Sequence, residues 1–271
     1  MAAFTSSRSA SSLRSLIRPA LRSLTSQSQF AGHSFSPDFT YYPGFFSLPE
    51  QRILLAAALQ KLDSAEPRSF RRRRKDLPPK KPLSEISDIR EMFLADEYYN
   101  FEEGHYDGVI KRFREMHVSS WPSDIEGLPS VIARLQALLP SGNTQTHFLH
   151  LASDGEILPH IDNVGASGSW ILGISLGATR LLRLESTEDK TEFMIPLPSG
   201  SVYLQKDSIR YNYKHSILQR GSVDGSHSDG GQRLSLMIRD RLPPTQLAKL
   251  KTAKGPITGQ SFLEEEGREA R

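Results

Sequence analysis

The feature that most constrains this chain is a rhythm of short apolar runs that begins after Asn143. Runs rich in apolar and β-branched residues recur at 144–151, 169–176, 179–185, 192–197, 201–206 and 233–239, punctuated by glycine and proline. Short strands at this spacing predict a β-sandwich or barrel. Helical periodicity is confined to the stretch before them. One helix is expected over 48–62, with Ser47 as N-cap, Pro49 and Glu50 in its first turn, and a stripe of Ile53, Leu54, Ala57, Ala58 and Leu62 toward the core. A second is expected over 128–139, presenting Ile132, Leu135, Leu138 and Leu139 and ending at Pro140-Ser-Gly142. The expected class is therefore mainly β with flanking helices.

Composition narrows the chemistry. Only 37% of the 271 residues are hydrophobic, which predicts a folded body with disordered appendages. There is no cysteine, so disulfide scaffolds, thiolate metal sites and a cysteine nucleophile are all excluded. No apolar run approaches the roughly 18 residues a membrane-spanning helix needs. The formal charge of +3 is unevenly spread. Residues 1–37 carry four arginines and no acid, and 67–82 (PRSFRRRRKDLPPKKP) carry eight bases and one acid, Asp76. With those set aside, 22 basic residues face 30 acidic ones. That remainder has the wrong sign to attract nucleic acid through its overall field. The run 67–82 breaks helical periodicity and reads as a solvated basic linker or loop, the obvious contact if RNA binds.

The first 36 residues hold eleven serines, and Asp38 is the first acid. Leu13, Leu16, Ile17, Leu21 and Leu24 fall on one helical face beside a stripe of Arg14, Arg18 and Arg22, with Pro19 as the weak point. Arginine-rich, serine-rich, acid-free and amphipathic describes a mitochondrial transit peptide, which predicts a matrix protein cleaved before Asp38. The expected organisation is a leader over 1–37, one domain over 38–241 and a polar tail over 242–271.

Three His-x-Asp triplets occur: His105-Tyr-Asp107, His160-Ile-Asp162 and His227-Ser-Asp229. About one is expected by chance, so context must separate them. His227 and Asp229 lie in a glycine- and serine-rich stretch that reads as a flexible loop. His105 and Asp107 lie in an acidic, aromatic stretch that reads as preceding a helix. His160 and Asp162 follow an apolar run, and on an extended chain residues two apart share a face. His215, downstream of the strand expected to end near Gln205, supplies a third ligand. Two histidines and a carboxylate make the facial triad of non-haem iron oxygenases, which leaves three positions open for a chelating 2-oxo acid and dioxygen. A closed structural zinc site would want four ligands.

Arg233-Leu-Ser-Leu-Met-Ile-Arg239 adds two arginines six apart on one strand face. The distal carboxylate of a dicarboxylate such as 2-oxoglutarate needs a planar, permanently charged fork. Arg239 is expected to supply it, with Tyr203 donating a hydroxyl hydrogen bond to the same ligand.

This order and spacing, together with HLASDGEILPHIDNVGASGSWILGISLG and GSVYLQKDSIRYNYKHSIL, resembles the AlkB-like branch of Fe(II)- and 2-oxoglutarate-dependent dioxygenases, closest to its mitochondrial homologue 7 subgroup. The resemblance covers roughly residues 90–241. It implies a double-stranded β-helix (jelly roll) core and His160, Asp162 and His215 as iron ligands. It also implies Arg239 on the distal carboxylate, Tyr203 and Leu149 lining that pocket, and Arg233 near the chelating end. Fe(II) and 2-oxoglutarate follow as cofactor and co-substrate, with dioxygen. Members that repair nucleic acid read R-x-N-x-T-x-R, and here Ser235 and Met237 replace the Asn and Thr. No aromatic-rich lid precedes the core to clamp a flipped base, and Tyr98, Tyr99 and Phe101 read as packing onto the sheet. DNA repair is therefore not expected. The expected substrate is a protein side chain or metabolite, tied through the subgroup to mitochondrial fatty-acid metabolism and programmed necrosis. The alternatives are mitochondrial RNA demethylation and a non-catalytic iron-binding module.

Overall fold

The structure, a computed structural model, describes residues 22–23, 36–77, 81–140, 142–165, 167–223 and 226–242. The leader and tail expectations fall almost wholly outside these residues. Of the leader only residues 22–23 and 36–37 are described, and β1 (Arg22–Ser23) is extended and pairs with a later strand instead of continuing a helix.

Local chemistry sets the first elements. After β2 (Phe39–Tyr42), Ser47 opens α1 (Leu48–Ala65), and Glu50 Oε2 accepts from both the Ser47 amide and hydroxyl at 2.8 Å. Pro67 ends that helix and starts another, α2 (Arg68–Lys75). The basic run is thus helical over half its length, not a linker. Arginine is a good helix former, and Arg74 is anchored by Glu66 and by the Tyr98 carbonyl at 2.8 Å. Next comes a hairpin of β3 (Glu102–Gly104) and β4 (Ile110–Val118). His105 and Asp107 therefore sit in a hairpin turn, where the sequence had predicted the approach to a helix. The predicted second helix is α3 (Leu128–Gln136).

From here the strands fall where the apolar rhythm places them: β5 (Thr144–His160), β6 (Trp170–Gly177), β7 (Arg180–Ser186), β8 (Glu192–Leu197) and β9 (Ser201–Lys206). A short α4 (Asp207–Asn212) leads into β10 (Tyr213–Leu218). The backbone of β11 (Arg220–Val223) pairs with β12 (Ser226–Asp229), so the stretch expected to be a loop is a hairpin. The last strand is β13 (Arg233–Asp240).

One antiparallel face runs β4-β5-β13-β6-β9-β2, and the other runs from the far half of β5 through β10 and β7 to β8, with β1 parallel to β8. Strand β5 belongs to both. Its Leu151 pairs with Arg233, and its His160 pairs with His215. The crossing is made at 152–156, where a Cβ on Gly155 would stand 2.5 Å from the Arg112 carbonyl. Arg180, fully buried, holds the bend by donating to the carbonyls of Ala152, Ser153 and Gly155, and also to those of Leu218, Gln219 and Gly231. Burial pulls its pKa down to about 10.

Alternation along β13 separates two compartments. Leu234, Leu236 and Ile238 point outward into an apolar layer with Leu54, Leu55 and Leu59 of α1 and Leu128, Val131 and Leu135 of α3. Arg233, Ser235, Met237 and Arg239 share the opposite, inward face. There Leu149, Leu151, Phe113, Leu182, Leu184 and Tyr203 form a second cluster between the two β-faces. This is the double-stranded β-helix, with helices covering one outer side. Tyr99 packs as expected, 3% exposed, with its ring under the Arg114 guanidinium and edge-on to His150.

Candidate metal centre

The pairing of β5 with β10 puts His160 and His215 side by side, with ring centroids 4.2 Å apart. Asp162 lies two residues beyond the end of β5. Its Oδ1 is 3.1 Å from His160 Nε2 and 3.7 Å from His215 Nε2. One ligand atom from each of the three residues falls within 4.8 Å of the others. His160 Nδ1 is 2.9 Å from the Leu158 carbonyl, so that nitrogen carries the proton and Nε2 faces the centre.

Electrostatics suit a divalent cation. Burial by itself raises the Asp162 carboxyl, but the His160 hydrogen bond, the adjoining His215 imidazole and the Arg239 charge outweigh it and hold the group well below the carboxylate range. Burial pushes His215 down to about 4, which keeps its lone pair free. His160 is also penalised by burial, and its contact with Asp162 overrides that and raises it. Two imidazoles and one ionised carboxylate, with no further ligand among the described residues, fit the facial donor set of a non-haem iron site.

The loop carrying Asp162 is braced from two sides. Arg210 of α4, 2% exposed, donates to the Asp162 carbonyl at 3.1 Å and to Ser167 Oγ at 3.1 Å. At the end of β13, Asp240 accepts from the Ser169 amide at 2.9 Å. Neither residue was singled out from sequence. An arginine in a six-residue helix carries no periodic signal.

The two strand arginines separate. Arg239 Nη1 is 3.9 Å from Asp162 Oδ2, and its buried Nε has no hydrogen-bond partner. Arg233 lies at the other end, 1% exposed, donating to Ser175 Oγ at 2.9 Å and reaching toward Ser235 Oγ at 3.5 Å. The Tyr203 hydroxyl shares a hydrogen bond with it. Among the described residues no carboxylate pairs with Arg233. Arg239, expected on the distal carboxylate, thus stands beside the triad residue Asp162, and Arg233, expected near the chelating end, lies against Ser175 instead. Leu149 is fully buried in the same inner cluster as Tyr203. Gly173 makes the room for Tyr203, since a Cβ there would lie 2.3 Å from Tyr203 Cζ.

An inward-facing jelly-roll site with this triad defines the class: the chain belongs to the 2OG-Fe(II) oxygenase superfamily, whose profile matches residues 38–239. Fe(II) and 2-oxoglutarate are the cofactor and co-substrate of that family. Among curated relatives it is 35% identical over 146 residues to the alpha-ketoglutarate-dependent dioxygenase alkB homolog 7, mitochondrial, of Bos taurus. It is 33% identical over 144 residues to the protein of the same name from Mus musculus. Each match spans 51% of this chain and 65% of the relative. Among solved structures, a Pseudomonas putida prolyl-4-hydroxylase superposes at TM-score 0.46 with 14% identity, over 76% of this chain and 93% of that one. The structure of OsALKBH1 superposes at 0.48 with 15% identity, over 78% and 100%.

Proposed function

We propose that this chain is an Fe(II)- and 2-oxoglutarate-dependent dioxygenase of the mitochondrial matrix that oxidises a protein side chain or a small metabolite. The observation that carries the reading is the pairing of a His-Asp-His triad with a buried guanidinium that no acid neutralises. A buried charge without a partner is costly, and the dicarboxylate co-substrate removes that cost. The matrix assignment rests on the acid-free, arginine-rich leader and on the mitochondrial names of the relatives. The tie to fatty-acid metabolism and programmed necrosis rests on the subgroup resemblance alone.

In this reading His160, Asp162 and His215 hold the iron. When bound, it supplies dioxygen activation, so that 2-oxoglutarate, O2 and a substrate C–H become succinate, CO2 and a C–OH. The chain binds, orients and excludes water. Arg233 takes the distal carboxylate, with Ser175, Ser235 and Tyr203 fixing the guanidinium plane. Leu149 and the apolar cluster keep that end dry, which strengthens the ion pair. Arg239 stands beside Asp162 and orients the carboxylate at the chelating end. Arg210 fixes the backbone from which Asp162 projects.

The test is anaerobic titration of the purified protein with Fe(II) and then 2-oxoglutarate, read by the weak visible charge-transfer band of a chelated Fe(II) centre. The band is expected to vanish in His215→Ala. In Arg233→Lys it should need a much higher 2-oxoglutarate concentration, because an ammonium cannot reproduce the planar fork. Metal binding with no band at any concentration would overturn the reading.

A second reading, RNA demethylation, draws on α2, whose Arg68, Arg71, Arg72 and Lys75 are exposed on one short helix. RNA binding through that helix must weaken steeply as salt rises.

A further inference from the structure

Beside the metal centre lies a second polar cluster that neither the metal nor 2-oxoglutarate uses. The main-chain amide of Leu158 donates to the Val109 carbonyl at 2.9 Å, which lays the β3–β4 turn alongside the end of β5 next to His160. From that turn a row of side chains runs away from the metal. His105 Nδ1 is 2.9 Å from Asp107 Oδ1, and His105 Nε2 is 3.7 Å from Glu115 Oε1. Glu115 Oε2 is 3.2 Å from His147 Nε2, and the His147 ring stacks on His117 at 4.7 Å.

Strand register fixes where this row points. Glu115 pairs with Leu149, which pairs with Ser235, and His117 pairs with His147, which pairs with Met237. All six residues lie on the inward face with Arg233 and Arg239. The row is therefore one wall of the space in front of the iron ligands.

Its acids are Asp107 and Glu115, and among the described residues no lysine or arginine lies within ion-pair distance of either. Burial raises the Glu115 carboxyl, yet the imidazoles of His147, His105 and His117 around it hold it low, so it is an anion. His147 is only 6% exposed, and its Nδ1 has no hydrogen-bond partner among the described residues. In the neutral ring that donates from Nε2 toward Glu115, 3.2 Å away, Nδ1 is left as an acceptor. Glu115 itself is 28% exposed along its side chain, so a ligand can reach it.

Resting on the dioxygenase reading, we propose that Glu115 and His147 form the substrate-recognition subsite, and that it takes a protonated alkylamine, the chemistry of a lysyl side chain or a small amine. The ammonium carries charge for Glu115 and N–H donors for both Glu115 and His147 Nδ1. Its carbon chain then runs along the wall toward the metal, which puts a C–H near the iron ligands.

The test uses the full chain loaded with Mn(II) and 2-oxoglutarate and kept anaerobic, with Mn(II) as a paramagnetic stand-in for Fe(II). Proton relaxation is measured for propylammonium, for neutral 1-propanol and for a capped Ala-Lys-Ala peptide. Propylammonium is expected to relax strongly and propanol not at all. Relaxation of the peptide side chain identifies a protein substrate, and its absence beside propylammonium relaxation identifies a small amine. Glu115→Gln is expected to weaken the propylammonium effect about tenfold or more, as befits the loss of a charged hydrogen-bond partner. Equal relaxation of propanol and propylammonium in the unaltered protein overturns the subsite. So does an unchanged effect in Glu115→Gln with Mn(II) and 2-oxoglutarate still bound. Failure of the unaltered protein to bind Mn(II) instead refutes the metal-centre reading on which the proposal stands.

Discussion

Gly173 makes the room that Tyr203 occupies in the inner cluster, and Gly173→Ala turns that fit into a measurement. An added Cβ would stand 2.3 Å from Tyr203 Cζ and 2.5 Å from both Cε1 and Oη. Carbon contacts are normally about 3.5–4.0 Å, so the ring must move by more than about 1 Å. It has little freedom to do so, because it is 5% exposed and stacked on Phe39 with 16° between the ring planes. Overpacking of this kind costs about 1–3 kcal/mol, which should appear as lost stability in chemical denaturation. The shift also draws the hydroxyl away from Arg233. We expect 2-oxoglutarate affinity to fall about tenfold or more, since about 1.4 kcal/mol corresponds to each factor of ten. Fe(II) affinity should hold, because no triad ligand touches Gly173. Titrating 2-oxoglutarate into the Fe(II)-loaded variant gives the first number, and titrating the metal gives the second. Tyr203→Leu placed on top of Gly173→Ala should restore stability by removing the colliding atoms. Unchanged stability together with unchanged 2-oxoglutarate affinity in Gly173→Ala would show that Tyr203 does not pack where the reasoning requires.

Three further outcomes are expected. Arg210→Met removes the donor to the Asp162 carbonyl and to Ser167, and should weaken Mn(II) binding by about 10–100-fold with the fold intact, as read by electron paramagnetic resonance titration. Arg180→Met leaves six carbonyls without their donor, and should cost about 3 kcal/mol or more and lower Tm by about 6–12 °C in calorimetry. His150 is fully buried, and burial first, then the Arg114 charge, holds its pKa well below the usual 6.5. The unfolded chain therefore binds one more proton than the folded one below about pH 6.5, and stability falls by about 1.4 kcal/mol per pH unit as pH drops from there until the folded pKa is reached. Urea midpoints at pH 7 and pH 5 should show that loss in the unaltered protein and a flatter response in His150→Gln.

What the sequence disclosed and what it hid divide along a physical line. Alternation assigns a side chain to a face, so the inward set of β13, from Arg233 to Arg239, was legible, as was the shared face of His160 and Asp162. Alternation does not say which end of a strand faces the metal. That depends on His215 pairing with His160 across β10, which is why Arg239 and not Arg233 stands beside Asp162. The β3–β4 hairpin was hidden for a related reason. Its inward positions include Glu115 and His117 and its outward ones Arg114, so polar residues on both faces erase the period of two. Arg114 is nevertheless 4% exposed, paired with Asp63 at 2.7 Å and Glu66 at 2.9 Å from the end of α1. Arg180 likewise reads as a solvent position in a strand, and is buried because the bends at 152–155 and 218–219 present carbonyls that need a donor. The basic run in α2 has no apolar period to announce a helix, and its folded end is set by Arg74 reaching back to Glu66. In each case the missed residue is a buried charge whose partner lies at least eight residues away in the chain. Hydrophobic periodicity cannot price such a residue, because its burial is settled by a distant partner and not by its neighbours. Glu115 and His147 likewise owe their placing to a distant partner, 32 residues apart on adjacent strands, which is why the wall they form emerges only once β4 is laid against β5.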